Sequence, residues 1–291
     1  MKDMRYIRTA SVTEITDSLK KYGDKAKIIA GGQSLVILLK QRLVSPGGLI
    51  DISQVNDLKF IKKTKKTIKI GALTTHRDIE KDPLIQAHMP ILVEMEKQLA
   101  SVQIRNMGTL GGNLCHADPA GDLAPPLIVM GAKLKLISAK GSRTVSVEHF
   151  FRDFFETAIQ PDEVLAEIHV PLLPVSGNAL YIKHSTRGVD TTIIGVAAFV
   201  SKDRDSNTCK DIRLCVGGVG SVPIRAKKAE TAVRGKAVSK KIIAEAGKKA
   251  SEEIHPVSDL QGSAEYKKEL TEVFIKRAIK AAWDGIGRTN A

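Results

Sequence analysis

Two glycine doublets carry the chemistry that this chain's residue types most directly suggest, Ala30-Gly31-Gly32-Gln33-Ser34 and Thr109-Leu110-Gly111-Gly112-Asn113. Each follows an apolar stretch and precedes a segment with helical patterning. Glycine pairs at such turns let a backbone approach a ligand closely and turn its N–H groups outward. A helix starting just beyond adds partial positive charge, so the geometry suits a pyrophosphate. Two such loops imply a ligand gripped from two sides, and a large dinucleotide is the natural candidate. The common nucleotide signatures are missing. No G-x-G-x-x-G follows the first strand, and no lysine stands where a P-loop lysine should.

The second loop continues through Cys115-His116-Ala117-Asp118-Pro119-Ala120-Gly121-Asp122. Its glycines, Asn113 and the Thr109 hydroxyl can serve phosphate oxygens. A carboxylate cannot, because it only accepts. Asp122 therefore points to ligand hydroxyls, such as those of a ribityl or ribose chain, and the pairing fits a flavin dinucleotide better than a simple phosphate ester. The alternative for Asp122 is to cap a helix over Leu123–Met130. Asp118-Pro119 divides between a site and a turn. His116 reads as a polar loop histidine and Cys115 as a small buried residue. Cys209 and Cys215 flank a strand-like run and read as structural. Three cysteines are neither a disulfide framework nor the four thiolates of a typical iron–sulfur cluster, so cluster chemistry would have to come from another chain.

The elements that must position these loops follow from the hydrophobic pattern. A helix at Val12–Tyr22, a strand at Ala26–Ala30, a helix at Ser34–Arg42 with Ser34 as N-cap, and a strand at Leu49–Ile52 make a small βαβ-like unit. Strands follow at Lys59–Lys63 and Thr67–Ile70, with helices near Asp78–Lys81 and at Leu84–Leu99. Strands return at Lys133–Ser138, Gly141–Ser146 and Val164–Val170. The remainder reads as strands Ala179–His184, Ile193–Ser201 and Asp211–Gly217, then helices Lys240–Ile254 and Ala264–Ile279. This is an α+β chain.

At 291 residues the chain has room for roughly two domains. The net charge of +13 raises nucleic acid as a partner. Scattered lysines and an aromatic content of 4% argue against it, and an acidic partner subunit is the better use of the charge. The lysines of a hairpin over residues 62–69 should face solvent. There is no apolar run long enough to span a membrane and no secretory apolar core near Met1, so the cytoplasm is the expected location.

The sequence resembles the FAD-binding medium subunit of the molybdenum hydroxylases, the group of xanthine dehydrogenase, aerobic carbon monoxide dehydrogenase and aldehyde oxidoreductase. The likeness is carried by residues 29–35 with Lys40 beyond, Gln103-Ile104-Arg105-Asn106-Met107-Gly108 into the second doublet, and 116–122. It continues in 181–187, 216–226 and 260–268, and so covers nearly the whole chain in order. It implies a two-subdomain FAD-binding domain of the vanillyl-alcohol-oxidase-like (PCMH) type over residues 1–172, with subdomains at about 1–57 and 58–172. A C-terminal domain of sheet plus helices would follow over 173–291. By that likeness Ala30, Gly31, Gly32, Gln33, Ser34 and Leu35 cradle the pyrophosphate from one side. Thr109, Gly111, Gly112 and Asn113 hold it from the other, and Asp122 takes a flavin-chain hydroxyl. Lys183 would approach the N1–C2=O edge of the ring, where a cation stabilises charge gained on reduction; otherwise it is a surface lysine at a strand end. Leu99, Ala100 and Thr192 are the candidates for flanking the ring. Arg187 departs from the paired basic residues common there, being followed by Gly188.

The resemblance further implies a molybdopterin-binding large subunit that oxidises substrate and a small subunit whose [2Fe–2S] clusters feed FAD on this chain. Electrons would then leave to an external acceptor such as NAD⁺, a quinone, oxygen or a protein carrier. The cysteine-bearing insertion of the four-iron branch is missing. Two other readings stand beside it. One is a stand-alone FAD oxidoreductase of the vanillyl-alcohol-oxidase-like superfamily, whose acid–base residues the third region does not offer. The other is a non-catalytic binding module.

Overall fold

The computed structural model describes residues 4–203 and 205–287. Its first sheet is wholly parallel, with β3 (Gly48–Asp51) between β1 (Arg5–Arg8) and β2 (Ala26–Ile29). Helix α1 (Val12–Tyr22) starts at Ser11, whose hydroxyl accepts from the Glu14 N–H while Glu14 accepts from the Ala10 N–H. Ile15 and Leu19 bury its inner face against Ile50. Strand β1 has no counterpart in the sequence reading, because Arg5-Tyr6-Ile7-Arg8 is largely exposed and shows no apolar face. Helix α2 (Leu35–Lys40) follows the first glycine loop.

The second sheet is antiparallel. It runs β4-β5-β10-β6-β7, from β4 (Ile61–Lys63), β5 (Thr67–Gly71), β6 (Lys133–Ser138), β7 (Gly141–Ser146) and β10 (Val164–Pro171), with the hairpin β8 (Phe151–Asp153)–β9 (Glu156–Thr157) beside it. Lys62, Lys63, Lys65 and Lys66 are exposed, as expected, whereas Lys69 on β5 is half-buried. Between β5 and β6 lie α3 (His76–Lys81), α4 (Pro83–His88), α5 (Pro90–Lys97), α6 (Val102–Met107), α7 (Leu110–His116) and α8 (Ala124–Val129). The single helix expected over Leu84–Leu99 is two. Met89 has φ −141° and ψ 53° because the ring of Pro90 disfavours helical backbone in the residue before it.

The third sheet orders β11 (Gly177–His184), β12 (Ile194–Lys202), β13 (Cys209–Gly217) and β14 (Ile224–Arg225) by simple antiparallel neighbours. Helices α9 (Lys227–Val233), α10 (Lys240–Glu253) and α11 (Ala264–Asp284) accompany it. Successive residues of β12 point to opposite faces and both are buried. Val196, Ala198 and Val200 pack in one core with Phe274, Ile275 and Ala278 of α11. Ala197 and Phe199 join the core that holds Leu127 and Met130 of the preceding region. Cys209 and Cys215 are buried in β13, in keeping with a structural part. The third sheet therefore shares one face with the region before it.

Arg143 on β7 grips Glu163, just before β10, with bonds of 2.6 and 2.8 Å, and the Gln160 N–H adds a third at 2.7 Å. The Arg143 guanidinium above all, aided by that N–H, holds the Glu163 carboxyl below the usual range against burial. A group depressed in the folded state stabilises above its unfolded pKa and loses that contribution as pH falls through the folded value. The Glu163→Gln chain should accordingly be less stable than the parent at neutral pH, with the gap closing below about pH 4. Urea unfolding at a series of pH values checks this, and a gap independent of pH would refute it.

Candidate functional site

The second glycine loop is tied to residues 72–76, and it meets the first loop at Gly108, where an added Cβ would lie 3.7 Å from Gln33 Cγ. The Gly111 N–H donates to the Ala72 carbonyl at 2.9 Å, the Leu110 N–H to Thr74 at 3.0 Å and the His76 N–H to Gly108 at 3.0 Å. His76 is fixed in turn by Glu96, whose two oxygens lie 2.9 and 3.0 Å from Nδ1. Burial pushes the Glu96 carboxyl up, and His76 opposes that shift. The first glycine of each doublet faces protein. A Cβ on Gly31 would run into the Met107 carbonyl, and one on Gly111 would sit 2.6 Å from Ala72 Cβ. The second glycines differ. Gly32 has φ +70° with Val36 Cγ2 3.2 Å from an added Cβ, and Gly112 is exposed, with Thr109 Oγ1 2.8 Å from one.

Two expectations about these loops need correcting. The second doublet does not precede a helix; it forms the first turn of α7, with Thr109 as N-cap accepting from the Gly112 N–H at 3.1 Å. That bond uses an acceptor position of the hydroxyl and leaves its proton to donate. Ser34 stands at the N-cap of α2, but its backbone is helical and its side chain makes no capping bond. Gln33 folds its amide onto the Gly31 carbonyl at 3.0 Å. Ala30, Gln33, Ser34, Leu35 and Asn113 are half-buried along the same two loops. Cys115 is exposed on α7 rather than buried. His116 lies against the Phe155 ring at 5.2 Å. Asp118 makes a turn, accepting from the Ala120 and Gly121 N–H groups.

Asp122 and Lys183, taken separately from the sequence, are one buried pair at 2.8 Å. Asp122 Oδ1 also accepts from the Tyr181 and Thr192 hydroxyls, each at 2.6 Å, and Lys183 donates again to the Gln98 carbonyl at 3.0 Å. Asp122 does not cap α8, whose N-cap is Leu123. Nor is Lys183 a surface lysine, since its side chain is 2% exposed. Burial first, then the neighbouring carboxylate, pushes the Tyr181 phenol well above its ordinary value, so it remains a donor. Gly195 leaves the space that the Tyr181 hydroxyl fills. The sequence reading missed Tyr181 and Gln98. Tyr181 and Lys183 alternate on one face of β11, which is the signal that could have paired them.

Beyond this cluster lies a cavity of about 590 Å³, walled by Ala100, Ser101 and Ile104 on one side and Arg187, Val189 and Thr191 on the other. Of the ring-flanking candidates, Ala100 lines this cavity, Leu99 is buried, and Thr192 turns its hydroxyl to Asp122. A groove of about 390 Å³ between α3 and α5 is lined by no residue of either glycine loop or of the third sheet.

Residues 2–173 match the family described as FAD binding domain in molybdopterin dehydrogenase, and residues 179–282 match the CO dehydrogenase flavoprotein C-terminal domain. The chain belongs to the FAD-binding medium subunits of the molybdenum hydroxylases. The glyceraldehyde dehydrogenase medium chain of Sulfolobus acidocaldarius is 34% identical over 96% of this chain and 98% of its own length. The 6-hydroxypseudooxynicotine dehydrogenase complex subunit alpha of Paenarthrobacter nicotinovorans is 37% identical over 95% and 93%. Among solved structures, the carbon monoxide dehydrogenase of Hydrogenophaga pseudoflava that lacks the Mo-pyranopterin moiety superposes with a TM-score of 0.95. It is 34% identical and covers 98% of each chain.

FAD is thus the cofactor of this oxidoreductase subunit, and the loops fit it. Gly112 leaves an open cradle beside the Thr109 hydroxyl that a Cβ would fill. The two kinds of glycine should separate by mutation. Gly111→Ala forces a methyl into the Ala72 backbone and should destabilise the chain by about 1–3 kcal/mol. Gly112→Ala brings its methyl to 2.8 Å from Thr109 Oγ1 alone, so it should cost less stability than Gly111→Ala while weakening FAD binding at least about tenfold. Thermal unfolding of the FAD-free chains and flavin titration test both halves, and equal melting losses with unchanged affinities would contradict them.

Proposed function

We propose that this subunit receives electrons from the [2Fe–2S] clusters of a small partner subunit and hands them to an external acceptor, while substrate is oxidised at a molybdopterin site on a large partner. The observation that supports the reading most is the wall where the two glycine loops meet, Gly31 against the Met107 carbonyl and Gly108 beside Gln33, with Gly32 left-handed and Gly112 exposed. We assign the pyrophosphate to that wall, between residues Ala30 to Leu35 and Thr109 to Asn113. The ring half is assigned to the cavity between Ala100–Ile104 and Arg187–Thr191, a volume within the usual range of small-molecule sites. FAD supplies the redox chemistry when bound.

The chain's own residues hold and orient. Thr109 donates to a phosphate oxygen, and Asn113 offers an amide to the same group. Asp122 already accepts three protein donors, so a flavin-chain hydroxyl would take its remaining acceptor position. Lys183 is paired with Asp122 and bonded to the Gln98 carbonyl, so it acts on the ring side by holding that turn rather than as a free cation. Cys209 and Cys215 are buried on one strand while Cys115 lies on α7, so the three thiols are not gathered for a cluster. The family relatives are named as medium chains or complex subunits, in keeping with partners that supply clusters and molybdenum.

Expressed alone with FAD, the chain should be yellow and should pass electrons slowly from a chemical reductant to a dye. It should oxidise no aldehyde, purine or carbon monoxide, and it should form a stable complex when the cluster-bearing subunit is added. Turnover of such a substrate by the isolated chain, with neither molybdenum nor iron found by elemental analysis, would overturn the proposal and favour a stand-alone flavin enzyme.

A further inference from the structure

Three successive carbonyls, those of Gln98, Leu99 and Ala100, are all captured by buried cations. Lys183 Nζ takes Gln98 at 3.0 Å, and Arg105 Nη1 takes Leu99 at 2.8 Å and Ala100 at 2.9 Å. Arg105 is 6% exposed. Its Nε donates to Glu80 Oε2 at 3.1 Å, and the other Glu80 oxygen accepts from Arg77 at 2.6 Å. Although burial pushes the Glu80 carboxyl up, Arg77 and Arg105 together hold it below its ordinary range. The guanidinium is thus a rigid fork, anchored by one edge and gripping the turn by another. Ala100 itself has φ +42°, a left-handed backbone that alanine disfavours. Such a conformation persists only where surrounding bonds impose it.

Ala100, Ser101 and Ile104 form one wall of the cavity, whereas Arg105 does not line it. We infer that Arg105 is a positioning residue for the ring-bearing half of the cofactor, acting through the 98–101 turn that it and Lys183 hold in place. The inference rests on the assignment of the ring to this cavity. Lys183 comes from the third sheet and Arg105 from α6, so the turn is set from both sides of the seam. Loosening it moves the ring wall while leaving the hydrogen bonds between residues 72–76 and the second glycine loop unbroken.

Binding of FAD and of ADP separates this role from general support of the fold, because ADP carries the pyrophosphate without the ring. In the FAD-free full chain, Arg105→Met should raise the FAD dissociation constant about tenfold, as expected for losing a charge-assisted hydrogen bond. ADP affinity should stay within about twofold of the parent's. Visible circular dichroism of the bound flavin should also change shape, and Arg105→Lys, which keeps the charge without the fork, should fall between. If the Met variant does not fold, the Lys variant carries the same comparison. Equal weakening of FAD and ADP, or unchanged FAD affinity and dichroism, would overturn the inference. A parent chain that binds ADP but gains nothing from the flavin half would overturn the cavity assignment itself.

Discussion

The buried carboxylate of Asp122 is the constraint on which the rest of the molecule depends. A carboxylate removed from water costs several kcal/mol unless it is paired and hydrogen-bonded. Here every donor to Asp122 among the described residues comes from across the seam, from Tyr181 and Lys183 on β11 and Thr192 just before β12. The charge can be tolerated only when the third sheet is docked. The Gly218 N–H, donating to the Pro119 carbonyl at 3.0 Å, closes the same seam three residues before Asp122. Shared apolar packing of Phe199, Ala197 and Cys215 with Leu127 and Met130 adds non-directional stability to this directional lock.

From that lock the site geometry follows in two directions. Toward the N-terminus, Lys183 reaches the 98–101 turn and with Arg105 fixes one wall of the cavity. Along the chain, Asp122 lies shortly after α7, whose first turn holds the second glycine doublet. The doublets themselves divide labour by position. The first glycine of each permits protein to touch protein; of the second glycines, Gly112 is exposed, while Gly32 is half-buried in a left-handed backbone beside Val36. A loop that must be rigid and yet bare cannot do both with one residue, because a side chain at the first position prevents packing and one at the second covers the surface.

Much of this was legible beforehand where local pattern and burial agree. Helix α1, strand β6 and strand β7 have the bounds that their periodicity predicts. Residue types and spacing singled out both glycine loops and Asp122, and the resemblance added Lys183. What could not be read was pairing at a distance. Asp122 and Lys183 stand 61 residues apart, so each appeared as a separate ligand contact when the fold makes them partners. Local misreadings have local causes. Pro90 splits a stretch whose apolar pattern is otherwise continuous, and α6 is too short for its period to register. Cys115 was expected inside because thiols usually are, yet it occupies the open side of α7 near Gly112.

The central claim is that FAD spans the seam, with its pyrophosphate on the glycine loops and its ring against the 98–104 and 186–191 walls. Hydrogen–deuterium exchange of the full chain with and without FAD tests it most directly. The account predicts added protection in residues 30–35 and 108–116, and equally in 98–104 and 184–192 across the seam. Protection confined to one side of the seam, or to the groove between α3 and α5, would contradict it.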